Sequence, residues 1–506
     1  MRKYILFGAG SNGINAFRRF GYDNVAYFCD NYLCGSLFCG KEIISFERLC
    51  GIHKNYIVVL TTTVGKYMLE MGLQLDRNRI PFVLLEDELT MFELLKKMDN
   101  LYGQACENYD LLENEFFRQY KRLEIAYIDT TRIGEMMALR IEMDSGKYNV
   151  KGTKTIFVPK FYDLKTRDTL LFDDERNANF VLYKKITEHV DVIDEHNCRF
   201  WSQFIKKNRS LCCFYDRYSH KNMMMYQQLD MYFSKKSDKK YLSWSDEEMQ
   251  FGNCELNKIG LKSPFVTFYA RSQKYLDTVF KMSTLHPNDS IRNQSIEQYK
   301  CMCENLKNRG IRSVRMGYLV DEEIDWENTI DYASNYRTEF LDLYLISKSE
   351  FFVSSPSGIQ VIATMFNIPS VLVNLSVFTS LADVGHWLEY DRDIMIFQKI
   401  RHGSRYLTMR EIFEIENKIP DHYHRMKYFL DDGYVFEQNT QQEIWEAVQE
   451  MLEKKNGTVK YSCEDEMLQA RYWDLVNEFI SKRTLTWYAK ARVGRDFLRQ
   501  NSWLLD

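Results

Sequence analysis

A chain of 506 residues is too long for one core, since single domains mostly run about 100–200 residues, so several domains are expected. Fractions of 45% hydrophobic and 27% charged residues exclude wholesale disorder, and only 7 prolines and 23 glycines exclude a collagen-like or mucin-like chain. A net charge of −4 argues against a general nucleic-acid binder, so no nucleic-acid partner is expected.

Twelve cysteines are too sparse for a disulfide scaffold, and none falls in a CxxC pair. Neither His53 near Cys29, Cys34 and Cys39 nor His286 near Cys301 and Cys303 completes a zinc-like spacing. Buried or idle thiols in a reducing cytosol are the expectation. The opening MRKYILFGAGSNG has no apolar core followed by a small-residue cleavage site, and no stretch approaches the roughly 20 apolar residues that span a bilayer. A cytoplasmic, multidomain protein is expected.

Residues 1–95 read as a compact α/β unit. KYILFGAG is a short apolar run ending in glycines, and INAFRRFG continues as a helix closed by Gly21. NVAYFCD, NYIVVLTT and IPFVLLED supply further strands, and their alternation with helical patterns predicts a parallel, doubly wound sheet. Residues 96–122 are helical and polar, a helical linker. A second α/β segment, 123–262, opens with LEIAYIDTTRIGEMMALRIEM, where a strand turns at Arg132-Ile133-Gly134 into a helix begun by Glu135. TKTIFVPK and HVDVID extend its sheet, whereas residues 199–260 give little periodic signal. A third segment, 263–440, holds the strands FVTFY, IRSVRMG, FFVSS and PSVLVN and a helix near Ile359–Phe366. Residues 441–506 are mostly amphipathic helix. The fold class is α/β, a small N-terminal parallel-sheet domain followed by two more, with C-terminal helices.

Gly8-x-Gly10-x-x-Gly13 follows a strand and opens a helix, and Asp30 closes the next strand. Such glycines permit a tight turn and close approach of a phosphate to free helix N–H groups, and the carboxylate can accept from ribose hydroxyls. A nucleotide or nucleotide-sugar is therefore expected at Gly8, Gly10, Gly13 and Asp30, against the alternative of a tight turn that binds nothing. In the third segment, Ser354, Ser355, Ser357 and Gly358 crowd between a strand and a helix, a cradle for a diphosphate or simply a helix cap. Arg271 ends the strand FVTFYAR, where bidentate guanidinium pairing suits a phosphate. Arg315 sits at the end of another strand, at the edge where α/β ligands usually bind. Asp391-Arg392-Asp393 lies in a late loop, Glu323-Ile324-Asp325 is no better, and charged loops produce such acidic spacings by chance, so no metal is expected. Tyr344 and Lys348 match a dehydrogenase Tyr-x-x-x-Lys pair by accident, far outside the first domain.

The first 90 or so residues resemble the small Rossmann-like domains fused to bacterial sugar-modifying and polysaccharide-biosynthesis enzymes, through KYILFGAGSNG, AYFCDN and GKEIISFERL. The chain from about Ile125 to Glu416 resembles GT-B-type glycosyltransferases of bacterial surface-polysaccharide (capsule and O-antigen) loci, which carry two facing Rossmann-like domains. IDTTRIGEMM, FVTFYAR, IRNQSIEQY, NRGIRSVRMG, FFVSSPSGIQVIATMFNIPSVLVN and DIMIFQKI carry that likeness. The resemblance implies a sugar transfer from a nucleotide-diphosphate sugar to a glycan acceptor carried on a lipid, with no resident cofactor and with peripheral contact at the inner face of the cytoplasmic membrane. It implies donor contacts at Arg271 and at Ser354 to Gly358, and at the Arg292–Asn293 pair a contact to donor or acceptor. Related families place a histidine where this chain has Tyr269. It further implies a general base at Glu135, where related enzymes carry Gly-Asp and this chain carries Gly134-Glu135, with Asp129 the next candidate. Two rivals stand beside this reading: a non-catalytic nucleotide-sugar sensor or scaffold, and an NAD(P)-dependent sugar-modifying enzyme built on the first domain.

Overall fold

The computed structural model describes residues 3–62, 65–103, 106–144, 148–162, 169–171, 178–188, 190–215, 240–262, 264–279, 291–376, 388–419, 422–480 and 491–506. Its first sheet comprises β1 (Tyr4–Phe7), β2 (Val25–Cys29), β3 (Leu37–Phe38), β4 (Lys41–Ile44), β5 (Ile57–Leu60) and β6 (Phe82–Leu84), in the order β3-β4-β2-β1-β5-β6. Every pairing is parallel except the β3–β4 hairpin. Alternation explains why β1 reads as a continuous apolar run. Tyr4 and Leu6 face one helical layer, Ile5 and Phe7 the other, so both faces are buried.

The second sheet holds β7 (Arg122–Asp129), β8 (Thr153–Tyr162), β9 (Thr169–Leu171) and β10 (Cys212–Tyr215), ordered β10-β7-β8-β9, with only β8–β9 antiparallel. HVDVID makes a single bridge, Val192 to Phe157, instead of a full strand. The stretch read as a linker carries part of this layer's core. In the helix Leu85–Tyr102, Leu85 and Leu89 pack into the first layer, while Leu94, Leu95 and Met98 pack with Leu123, Ile125, Ile156 and Val158. Tyr109 and Phe116 of the next helix, Tyr109–Gln119, join the same cluster. A buried ion pair between Glu88 and Arg209, with the Tyr4 hydroxyl donating to Glu88 Oε1 at 3.0 Å, joins the first two layers. The featureless stretch of the second segment carries the helices Cys198–Lys207 and Asp246–Lys258, and its residues 216–239 lie outside the described residues.

The third sheet is the largest. It takes β11 (Phe265–Tyr269), β12 (Arg312–Arg315), β13 (Thr329–Asp331), β14 (Phe352–Ser354), β15 (Ser370–Leu375) and β16 (Ile394–Phe397). A small antiparallel sheet follows, β17 (Lys399–His402), β18 (Arg405–Tyr406) and β19 (Val435–Glu437), and then β20 (Arg492–Val493) returns to the large one. The order is β13-β12-β11-β14-β15-β16-β20 and all pairings are parallel, so the winding reverses between β11 and β14. In open α/β sheets ligands bind outside the carboxyl ends of strands at such a reversal. Residues 441–506 belong to this layer's core. Ile444, Trp445, Val448, Phe497, Leu498 and Leu504 are buried with Val266, Val353 and Val371, and β20 forms the sheet edge. The apolar face of the terminal stretch is thus spent on the fold wherever it is described; residues 481–490 lie outside the described residues. No helix among the described residues is long and apolar enough to cross a membrane.

A second shared core joins the second and third layers. Met136, Met137 and Ile141 on the helix Ile133–Asp144 pack with Val361, Ile362 and Met365 on the helix Gln360–Met365. The architecture is a small Rossmann-like sheet followed by two Rossmann-like layers that share a core, with C-terminal helices.

Candidate functional site

The carboxyl ends of β7 and β14 meet. A Cβ built on Gly134 lies 3.0 Å from the Cα of Gly358, and one built on Gly358 lies 3.0 Å from the nitrogen of Gly134. The turn carrying Glu135 and the turn carrying the serines therefore touch backbone to backbone. A side chain at either glycine would push them apart. Tyr275 adds a second tie, its hydroxyl donating to the Thr131 carbonyl at 3.1 Å.

On the β7 side, Asp129 is held under the turn. Its Oδ1 accepts from the Thr131 amide at 3.0 Å and from the Thr131 hydroxyl at 2.6 Å. Burial pushes its carboxyl up, the Thr131 hydrogen bonds oppose this, and the neighbouring Glu135 charge adds to the rise. Glu135 stands in the first turn of its helix, half-buried, where the free N–H groups favour an acid.

On the β14 side, Arg271 is 8% exposed, and its amide donates to Ser355 Oγ at 3.3 Å across the β11–β14 reversal. Its guanidinium donates to Asn293 Oδ1. Arg292 donates through Nε and Nη2 to the Pro356 carbonyl at 3.2 and 3.0 Å, and so holds the serine turn from below. The Arg292–Asn293 pair is thus a brace for both the turn and Arg271. Ser354 and Ser357 have buried hydroxyls with no hydrogen-bond partner, and the fully buried Gln360 has neither amide atom satisfied. Each such group costs about 1–3 kcal/mol if left unmade. They lie at the strand-order reversal, where groups the fold leaves unmet can be met by water or a ligand, and the buried hydroxyls of Ser370 and Ser376 at the two ends of β15 are likewise unmet.

Arg315 is placed differently. Its guanidinium forms a buried ion pair with Asp331 at 3.3 Å and donates to the Glu322 carbonyl, so it is engaged in holding the loop between β12 and β13. Tyr269 is half-buried with the charges of Arg271, Arg292 and Arg315 around it, and burial pushes its hydroxyl up. Asp393 accepts from the amides of Ser370 and Glu389, each at 2.8 Å, and pairs with Arg392, so the Asp-x-Asp spacing serves the fold. Among the described residues no group of three His, Cys, Asp or Glu side chains is arranged to hold a metal. Tyr344 is core, donating to the Met249 carbonyl at 3.1 Å beneath Gly252.

In the first layer the three glycines divide. Gly8 has φ +115°, and a Cβ there would meet Thr61 Oγ1 at 2.5 Å; at Gly13 it would meet the Gly8 carbonyl oxygen at 2.3 Å. At Gly10 it would meet nothing within 4 Å. Asp30 is bound by three amides, Ala9 at 3.1 Å, Tyr32 at 2.9 Å and Leu33 at 3.2 Å. Two glycines and the acid are thus required by the turn itself, and Gly10 is not.

Sequence reasoning missed Gln360, whose signal was one amide in an otherwise apolar helix, and Thr131 and Tyr275, whose pairing across 144 residues left none.

No known protein family and no curated protein matches the chain. Among solved structures, ADP-heptose LPS heptosyltransferase II of E. coli is similar over 66% of this chain and 99% of its own, at 12% identity and a TM-score of 0.37. A glycosyl transferase of family 9 from Veillonella parvula covers 66% and 98%, at 10% identity and 0.34. UDP-GlcNAc 2-epimerase of Methanocaldococcus jannaschii, solved with UDP-GlcNAc and UDP, covers 89% and 99%, at 10% identity and 0.22. Likeness at this level carries no functional argument, and the reading of function rests on the chain's own geometry.

Proposed function

We propose that the chain is a glycosyltransferase that moves a sugar from a nucleotide-diphosphate donor to a hydroxyl of a surface-polysaccharide acceptor carried on a lipid. The observation that supports it most is the contact between Gly134 and Gly358, which sets a carboxylate-bearing turn against a turn of unsatisfied hydroxyls and a buried arginine. Acid-base chemistry and diphosphate binding are then adjacent.

In this reading Arg271, with Ser354, Ser355, Ser357 and Gly358, receives the donor diphosphate, while Arg292 and Asn293 position that turn. Glu135 takes the proton of the acceptor hydroxyl as its oxygen bonds to the anomeric carbon. The bond from that carbon to the diphosphate breaks, and its electron pair leaves on the diphosphate oxygen, whose charge Arg271 and the hydroxyls meet. The raised Asp129 beside it is the second candidate base. Neither role requires a metal. The first layer binds a nucleotide over Gly10, where open space lies against the start of the helix Ser11–Phe20. The enzyme would work on its lipid-linked substrate from the cytoplasmic face of the membrane.

Thermal shift of the full chain against UDP-, GDP-, CMP- and ADP-sugars and NAD(P) tests the reading, because a ligand that binds the folded state raises its stability by mass action. Stabilisation by at least one nucleotide-sugar is expected. Stabilisation by NAD(P) alone overturns it.

A further inference from the structure

Beside the Glu135 turn, the loop after β12 displays one aromatic ring. Tyr318 is 44% exposed and stands between Gly317 at φ +147° and Leu319 at φ +56°. A branched side chain at positive φ is a conformation the surroundings must impose. Here Lys274 Nζ donates to the Val320 carbonyl at 2.7 Å, and a Cβ on Gly317 would already meet Val320 Cγ1 at 3.0 Å. The loop is built to hold the ring out.

The ring is also fixed in orientation. The Arg337 guanidinium lies over it at 3.8 Å from the centroid, and Tyr275 approaches at 5.9 Å with planes at 60°. Arg337 is itself paired with Asp342 at 2.9 Å, so its charge is already met. Tyr275 leads back to the carbonyl of Thr131, two residues after Asp129 and four before Glu135. A rigid, partly bare ring therefore stands one side chain away from the turn that carries both candidate bases.

We propose that Tyr318 is the platform of a saccharide subsite that receives a neutral pyranose ring of the acceptor. The negative face of an aromatic ring attracts the polarised C–H bonds on the flat side of a sugar, and a ring already locked by neighbours loses little freedom on binding. A neutral ring fits because Arg337 is neutralised by Asp342. The assignment deepens the transferase reading and rests on it for the word acceptor, whereas saccharide binding itself stands on the geometry of the loop.

Saturation-transfer NMR on the full chain tests it, with maltotriose, lactose, chitobiose and mannobiose as probes, each with and without UDP or ADP. Wild type transfers saturation to the ring C–H protons of at least one probe, Tyr318→Phe keeps it, and Tyr318→Ala reduces it fivefold or more with an unchanged melting temperature. No saturation of any probe by wild type, or equal saturation by Tyr318→Ala, overturns the proposal. UDP-glucose, GDP-mannose and ADP-glucose form a second arm. If Tyr318→Ala abolishes saturation only on the sugar of a nucleotide-sugar, the platform serves the donor and the acceptor assignment fails. Failure of the transferase reading shows separately, as absence of nucleotide binding, and leaves the saccharide result standing.

Discussion

The first and third layers both place a turn rich in small residues between a parallel strand and a helix, yet the two turns are built to opposite accounts of their polar groups. Around Gly8 to Gly13 the fold consumes what the sequence offers. Two glycines are forced by the backbone, and Asp30 is bound by three amides. Around Ser354 to Gly358 the fold leaves hydroxyls and an amide buried and unmatched, with Arg271 beside them. A motif that explains itself structurally says little about ligands. A turn whose groups are left over leaves room for more, because burying an unmet hydrogen bond is a cost that water or a ligand recovers.

That contrast breaks most visibly at the chemistry. Glu135→Gln keeps the shape of the side chain and removes its basicity, so turnover is expected to fall by about 10²–10⁴-fold with donor affinity unchanged. Single-turnover assays beside calorimetric donor titrations check it. Transfer within a few-fold of wild type would make Glu135 a helix-start acid and move the role to Asp129. The next effect is on binding. Arg271→Ala is expected to weaken the donor by roughly 1.5–3 kcal/mol, the usual worth of a hydrogen bond to a charged group. Unchanged affinity, with the fold verified by circular dichroism, removes Arg271 from the site and weakens the inference from unmatched groups.

Much of this was legible in the sequence because it is local. The apolar runs that became β1, β7, β11, β14 and β15 announce strands buried on both faces, and Glu135 and Ser354 to Gly358 are read from strand–turn–helix order alone. What was illegible is long-range. Nothing in RSVRMG tells that Arg315 is spent on Asp331, sixteen residues on, since a strand-end arginine looks the same whether it faces a ligand or a loop. Nothing in residues 96–122 tells that Met98, Tyr109 and Phe116 are core, because a helix with one apolar stripe reads alike as a linker or a cover. The short β3 and β4, each with only two apolar residues, were silent for want of a longer apolar run.

The glycine turn offers the cleanest separation of fold from ligand. Gly8→Ala puts a side chain at φ +115° and against Thr61, so it is expected to cost about 1–3 kcal/mol of stability whether or not a nucleotide binds. Gly10→Val meets open space, so its melting temperature is expected to match wild type while nucleotide binding to the first layer is lost. Calorimetric titration that finds equal affinity in wild type and Gly10→Val would leave the turn a purely structural one. The comparison between the layers would then become absolute.

A buried carboxyl at the seam of the second and third layers supplies the smallest effect and the finest control, because its bonds are fully made. Asp342 accepts from the Tyr332 hydroxyl at 2.8 Å and from Arg337 at 2.9 Å, and Asn179 of the second layer approaches at 3.4 Å, with Glu339 nearby. Even so, burial pushes its carboxyl up to about 6, against which Arg337 and the hydrogen bonds pull down. The folded chain therefore binds a proton there that the unfolded chain, with an ordinary carboxyl, releases until near pH 4. A raised carboxyl favours the folded state as it protonates, so this group adds stability as pH falls from 7 through 6 and loses it on the way back. Between pH 7 and 5 its contribution is of the order of 1 kcal/mol. Asp342→Asn cannot titrate, so the difference in unfolding free energy between wild type and variant should shift in favour of wild type by about that amount across the interval. Urea melts of both proteins at the two pH values measure it. A difference that stays constant would mean that Arg337 holds Asp342 ionised, and that a buried polar group whose bonds are all made has no titration left to show.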